Sequence, residues 1–220
     1  MARHRAQRGA PANPRRGDFF RFAGMVGAAT GASRAPTFAS RSLGAAVSAT
    51  DAQRTAGLTF LRTDEAEFLR AETARLIPGD PESPGALEAD VTHFIDQALA
   101  SPWGNGQGVC TSGPWQEGTP QQDYQLKFTP AALYRTALAA VNRDLSNTGT
   151  PFPQMSSANQ DAYLAKLEAG DHDLDGVPSG VFFDMLLENT IEGYLVDPIY
   201  GGNRDMVGWK AIGFPGAFAS

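Results

Sequence analysis

The chain has 220 residues and a mass of 23.4 kDa, with 42% hydrophobic and 19% charged residues. That is enough to bury one sizeable core, and it excludes fibrous and wholly disordered chains. Residues 1–50 carry eight Arg against one acid, Asp18, a net +7, whereas residues 51–220 carry ten Lys and Arg against 23 acids, a net −13. A body so acidic repels phosphate backbones and argues against sequence-independent nucleic-acid binding. The single cysteine, Cys110, excludes an intrachain disulfide framework and every four-cysteine metal or cluster site.

Residues 1–50 read as a signal and linker, and residues 51–220 as the folded domain. The head is rich in Arg up to Arg21, after which no charge falls before Arg34. Those intervening residues would span about 18 Å as a helix, short of the roughly 30 Å hydrocarbon core, so a removable export signal fits better than a spanning helix. Arg15 and Arg16, with Phe19 and Phe20 behind them, resemble a twin-arginine signal for exporting folded proteins. Gly17 and Asp18 both intervene before the first apolar residue, one more than the usual pattern has. A basic tail that binds acidic surfaces is the alternative, and it leaves the uncharged block unexplained.

The body predicts an all-α fold, a compact bundle of about five helices with a long irregular loop and an irregular C-terminal tail, because helical periodicity dominates and no stretch alternates as a half-buried strand does. Thr63 is placed to cap a first helix reaching about Ile77, with acids in its first turn and Pro78-Gly79 as its stop. A second helix is expected from Leu87, with Val91, Phe94, Ile95, Ala98 and Leu99 on the same stripe, ending near Ser101-Pro102. The pair Thr129-Pro130 opens a third, which buries Leu133, Tyr134, Ala137, Leu138, Val141 and Leu145. A fourth runs from Ser157 to Ala169 with Gly170 as its stop, and a fifth from about Ser179 to Val196.

Between the second and third helices, Ser101 to Phe128 holds five Gly, three Pro and the aromatics Trp103, Trp115, Tyr124 and Phe128. A loop that long usually has a job, either returning its aromatics to the core or anchoring a protein partner. The stretch from Asp197 onward has the same character. Asp171-His172-Asp173-Leu174-Asp175-Gly176 opens like a calcium loop, but the position that should supply a bidentate Glu is Phe182, so a solvated acidic turn is the simpler account. The three histidines, His4, His93 and His172, have no metal-ligand spacing, no Gly-x-Ser-x-Gly elbow occurs, and no Gly-x-Gly-x-x-Gly follows a strand. Neither catalytic, cofactor-binding nor metal-ligating residues can be named. Cys110 is a free or buried thiol, or half of a bridge to another subunit.

The run from Glu192 through Asp197-Pro198-Ile199-Tyr200-Gly201-Gly202-Asn203-Arg204-Asp205 to Trp209-Lys210, ending Gly213-Phe214-Pro215-Gly216, resembles the signature of the gluconate 2-dehydrogenase subunit 3 family. Leu76-Ile77-Pro78, Gly85 to Ala89, Phe94-Ile95-Asp96, Gly113-Pro114-Trp115, Tyr124-Gln125-Leu126 and Tyr134-Arg135 look like the family in the same order. The resemblance implies a small accessory subunit, without a redox centre of its own, of a periplasmic sugar, sugar-acid or polyol dehydrogenase. It further implies FAD in a large subunit of the glucose-methanol-choline type, and an iron–sulfur cluster or haem c, the latter in a multihaem cytochrome c subunit, as the further centres. In such complexes the small subunit carries the export signal, takes the flavoprotein out as passenger, and sits on the inner membrane through the complex. A free-standing periplasmic binding module and a small metal-dependent hydrolase are the competing classes.

For partner binding the candidates are Trp103, Trp115, Asp197, Pro198, Tyr200, Gly201, Gly202, Asn203, Arg204 and Trp209. Pro198 and the glycine pair shape turns that let backbone approach another surface, Tyr200 and Trp209 offer large apolar faces, and Arg204 offers a fork of donors. The same tail can instead wrap its own helices.

Overall fold

The computed structural model describes residues 57–109, 112–115 and 125–216. Arg15, Arg16, Phe19, Phe20 and Cys110 lie outside them. Six α-helices follow in order: α1 Thr63–Leu76, α2 Val91–Ala100, α3 Pro130–Thr148, α4 Ser157–Glu168, α5 Ser179–Leu195 and α6 Val207–Ala211. Short 3₁₀ turns occupy Phe152–Gln154, Pro198–Tyr200 and Arg204–Met206. Among the described residues there is no strand, and the fold is all-α as the periodicity predicts.

Helix α5 is the hub, packed against α1, α2, α3, α4 and α6. Its sequence explains the role: Phe182, Phe183, Met185, Leu186, Gly193 and Tyr194 are buried on more than one side, so no single apolar stripe describes it. Phe182 meets Tyr134 of α3 edge to face at 5.6 Å, and Phe68 of α1 meets Phe152 at 4.9 Å. Arg75 of α1 holds Asp161 of α4 in a two-bond fork at 2.8 and 2.9 Å.

Local signals set most helix ends. The Thr129 side chain accepts from Ala132 N with Pro130 in the first helical position, Ser156 accepts from Asn159 N, and Gly149 closes α3 at φ 74°. Three expectations need correction. Thr63 is the first residue of α1 and not its cap; Arg62 precedes the helix, and the Glu65 carboxylate accepts from Arg62 N at 2.9 Å. Helix α2 begins at Val91 because Asp90 is left-handed at φ 58°, which breaks the periodic run and leaves Leu87 in a separate turn, 37% exposed. The tail after Asp197 is not irregular: it folds into two 3₁₀ turns and α6, elements too short to show a period. The acidic run Asp171 to Gly176 is a tight turn with Asp175 and Gly176 both at positive φ, closed by a bond from Leu174 N to Val177 O. Arg143 grips the exposed Asp175 carboxylate and holds it below the usual carboxylate range.

Two buried carboxylates moor the chain where it enters the body. Asp96 of α2 accepts from three consecutive amides, Thr59 N, Phe60 N and Leu61 N, at 2.8, 2.9 and 2.8 Å. Glu65 of α1 pairs with Arg62 and Arg135, and Arg135 also donates to Phe60 O at 2.6 Å while its guanidinium lies over the Phe60 ring. Removing Asp96 strands donors that the carboxylate satisfies. Asp96→Ala is therefore expected to destabilise the domain by on the order of 3 kcal/mol and to free the amides of Thr59, Phe60 and Leu61 for hydrogen exchange. Unchanged exchange at those three amides contradicts the mooring.

Candidate functional site

The most distinctive surface is built where the tail returns across α5 and the start of α2. Asp197 starts the return: its carboxylate accepts from Ile199 N at 3.1 Å, and Pro198 occupies the first position of the 3₁₀ turn, where its missing N–H costs nothing. Gly201, at φ 92°, ends that turn above the His93 ring of α2; a Cβ there would stand 3.0 Å from His93 Cδ2. The chain then dives inward. Gly202 lies so close to Gly193 that a Cβ would stand 2.3 Å from the Gly193 carbonyl oxygen.

Asn203 is the lock. It is fully buried in the left-handed region at φ 44°, a conformation asparagine tolerates better than most residues. All three of its local groups are used: its backbone N donates to Gly193 O at 2.8 Å, its Nδ2 donates to Val196 O at 2.9 Å, and its Oδ1 accepts from Gly208 N at 2.8 Å. Arg204 N donates to Ala89 O at 3.1 Å, and its guanidinium pairs with the Asp90 carboxylate. Asp205 and Met206 also have positive φ, so the turn stores backbone strain that these bonds offset. On α6, Trp209 Nε1 donates to Leu195 O at 2.7 Å, and its ring meets Phe214 edge to face at 5.1 Å. The Tyr194 hydroxyl donates to Pro84 O at 2.7 Å, and its pKa is pushed upward by burial and by the Glu88 charge.

The tail thus has two sides. Gly202, Asn203, Gly208 and the Trp209 indole N–H face this chain's own backbone. Ile199 at 80%, Tyr200 at 61% and Ile212 at 62% exposure face outward, with Met206 and Phe214 also exposed. Beside the tail, a cavity of about 360 Å³ opens between α1 and α2, lined by Leu58, Ala71, Ala74, Leu87, Asp90 and His93. Asp90 and His93 join cavity and tail through Arg204 and Gly201.

The sequence candidates therefore separate. Asp197, Pro198, Tyr200, Gly201, Gly202, Asn203, Arg204 and Trp209 come together in one structure. Trp103 lies half-buried in the turn after α2 and Trp115 is exposed further along that segment; neither shares a hydrogen bond or ring contact with the tail. Residue type alone did not single out Asp90, the carboxylate that pairs with Arg204, or the outward Ile199, Met206, Ile212 and Phe214. A glycine inside a helix, Gly193, was the available signal that something approaches α5 closely. Among the described residues no three His, Cys, Asp or Glu side chains are grouped as metal ligands. What the arrangement offers is a rigid backbone that displays apolar side chains.

Because a Cβ on Gly208 would stand 1.9 Å from Tyr194 O, Gly208→Ala cannot be accommodated without opening the tail. Asn203→Ala strands Gly208 N and Val196 O. Each is expected to lower the unfolding free energy by about 2–4 kcal/mol, read as a drop in the thermal midpoint. A midpoint unchanged in both variants contradicts the lock.

A profile of the family described as Gluconate 2-dehydrogenase subunit 3 matches residues 63–216, which takes in every helix described above. No curated protein and no solved structure matches the chain. The match covers well over half of the 220 residues, and the chain belongs to the gluconate 2-dehydrogenase subunit 3 family.

Proposed function

We propose that this chain is a non-catalytic accessory subunit of a periplasmic, FAD-dependent sugar, sugar-acid or polyol dehydrogenase complex. In this reading it binds the flavoprotein of the glucose-methanol-choline type that oxidises the substrate, supports its maturation and stability, and carries it through export under the signal at Arg15 and Arg16. FAD belongs to that partner, and a haem c or iron–sulfur centre to the partner subunits that pass the electrons on.

The observation that carries the reading, beside the family membership, is the two-sided tail. Five of the large exposed apolar residues, Ile199, Tyr200, Met206, Ile212 and Phe214, fall within sixteen positions of one another. They stand on backbone that Asn203 and Arg204 fix before any partner arrives. A preordered anchor spends little binding free energy on ordering itself, and exposed apolar groups gathered together mark interaction surfaces. Tyr200 is suited to be an anchor, since its ring is large, has few rotatable bonds and ends in a hydroxyl that tolerates water or a polar rim.

Inner and outer residues are then expected to answer differently to mutation. Tyr200→Ala and Ile199→Ser should leave the thermal midpoint of the isolated chain nearly unchanged and weaken binding of the flavoprotein by about 2 kcal/mol. Trp209→Ala, which removes the bond to Leu195 O, should lower the midpoint first. Titration calorimetry and a thermal melt on the same variants check both. Wild-type affinity in Tyr200→Ala and Ile199→Ser together places the interface on another face.

The export arm has its own test. Replacing Arg15 and Arg16 by Lys keeps the charge and removes the planar fork that a receptor can read. Both this chain and the flavoprotein are expected to stay in the cytoplasm, as shown by immunoblots of the fractions. A flavoprotein that still reaches the periplasm contradicts the passenger role while leaving the docking role to the affinity measurements.

A further inference from the structure

Three carboxyl groups lie fully inside the helical body, and they are treated differently. Asp96 receives three backbone N–H groups, and Glu65 is held by Arg62 and Arg135. Glu72, two turns along α1 from Glu65, is fully buried, and neither Oε1 nor Oε2 has a hydrogen-bond partner. Buried polar groups in native proteins are almost always paired, so a carboxyl with both oxygens unpaired calls for an explanation.

The charged groups packed around it are already engaged elsewhere. On α1 its helical neighbours Phe68, Leu69, Thr73 and Leu76 are buried, and Arg75, one turn on, is held by Asp161 of α4; α1 packs against α2, α3, α4, α5 and the Phe152–Gln154 turn, and Asp96 of α2 is taken by the Thr59, Phe60 and Leu61 amides. From α3 the group that bears on it electrostatically is the buried Tyr134, whose hydroxyl is already taken by Asn189 Nδ2 of α5 at 2.9 Å. From α5 the charges acting on that hydroxyl are Glu188 and Glu192, both of the same sign as an ionised Glu72. Arg135, next to Tyr134 on α3, is occupied by Glu65 and Phe60 O. An ionised carboxylate placed there loses its hydration and gains no donor, whereas the neutral acid loses far less. Burial alone pushes the Glu72 carboxyl well above the usual carboxylate range.

We propose that Glu72 is a proton-operated latch: its carboxyl carries a proton in the folded chain, and loss of that proton unseats α1 from α3 and α5. The sign follows from linkage. An unfolded Glu72 releases its proton near the ordinary value of about 4.3, while the folded one retains it, so unfolding releases one proton at every pH between the two values. The stabilising effect is complete below the ordinary value and is lost as pH rises toward the raised one, with the folding constant falling about tenfold per pH unit in between. Asp175 has the opposite sign, being held low by Arg143, and matters only on the acid side. The raised hydroxyls of Tyr134 and Tyr163 belong to the strongly alkaline range. The latch is independent of any partner.

The test is the urea midpoint of the full chain between pH 5 and 8 for the wild type, Glu72→Gln and Glu72→Met. Gln imitates the protonated acid in shape and Met fills the space without polar atoms. The expected result is that the ratio of the wild-type folding constant to that of either variant falls as pH rises above the ordinary carboxylate value, by up to about tenfold per pH unit. Parallel profiles overturn the proposal. Two measurements on the wild type need no variant. Folded protein at the acid end of that range should show the infrared carbonyl band of a protonated carboxylic acid, and the protection factors of the α1 amides should fall as pH rises. A missing band, or α1 protection independent of pH, also overturns it.

Discussion

Everything in this subunit passes through one close crossing, at Gly193. On one side of that residue the Phe94 ring and the Val91 side chain of α2 press against α5 where a Cβ would stand 2.7 Å from Phe94 Cδ1. From another direction the tail arrives, and Asn203 N takes the Gly193 carbonyl. Any side chain at this position would push α2 away, and α2 carries Asp96, which moors the entering chain, and follows Asp90, which holds Arg204. A single hydrogen atom in place of a methyl group thus lets the central helix, the entry segment and the tail share one small volume.

That crossing also explains how a tail rich in glycine can be rigid. Glycine normally raises the cost of ordering a segment, and left-handed non-glycine residues such as Asp205 and Met206 add to it. Here Asn203, the Arg204 pair and the Trp209 indole supply directed bonds that fix the conformation, so the exposed Ile199 and Tyr200 are presented in one geometry. The division of labour is set by geometry: inward residues hold the fold, and the outward residues remain exposed. It also narrows the list of anchors suggested by residue type, because Asn203 and Gly202 spend their interactions within the chain.

Much of the architecture was legible because its signals are local. The Thr129-Pro130 opening, the Gly170 stop and the start at Ser179 depend on a few adjacent residues and reappear in the folded chain. The misplaced start of α2 came from Asp90, whose left-handed backbone is set by its tertiary position and has no mark in the hydrophobic pattern. The short elements of the tail span too few residues for a period. Glu65, Glu72 and Asp96 were illegible for a different reason: acids on amphipathic helices normally face water, and only the distant partners Arg135, Thr59, Phe60 and Leu61 explain why two of them do not. The signature residues of the tail could be read as a site from their chemistry, but which of them face inward is decided by turn geometry.

The central claim is that the outer side of the tail meets a partner while the inner side is already locked. Hydrogen exchange of the full chain, alone and with the proposed flavoprotein partner, tests it most directly. The account predicts that Asn203 and Gly208 are protected in both states, and that binding adds protection around Ile199 to Gly201 and Met206 to Phe214. New protection confined to other segments, such as Ser101 to Val109, with the tail unchanged, would contradict it.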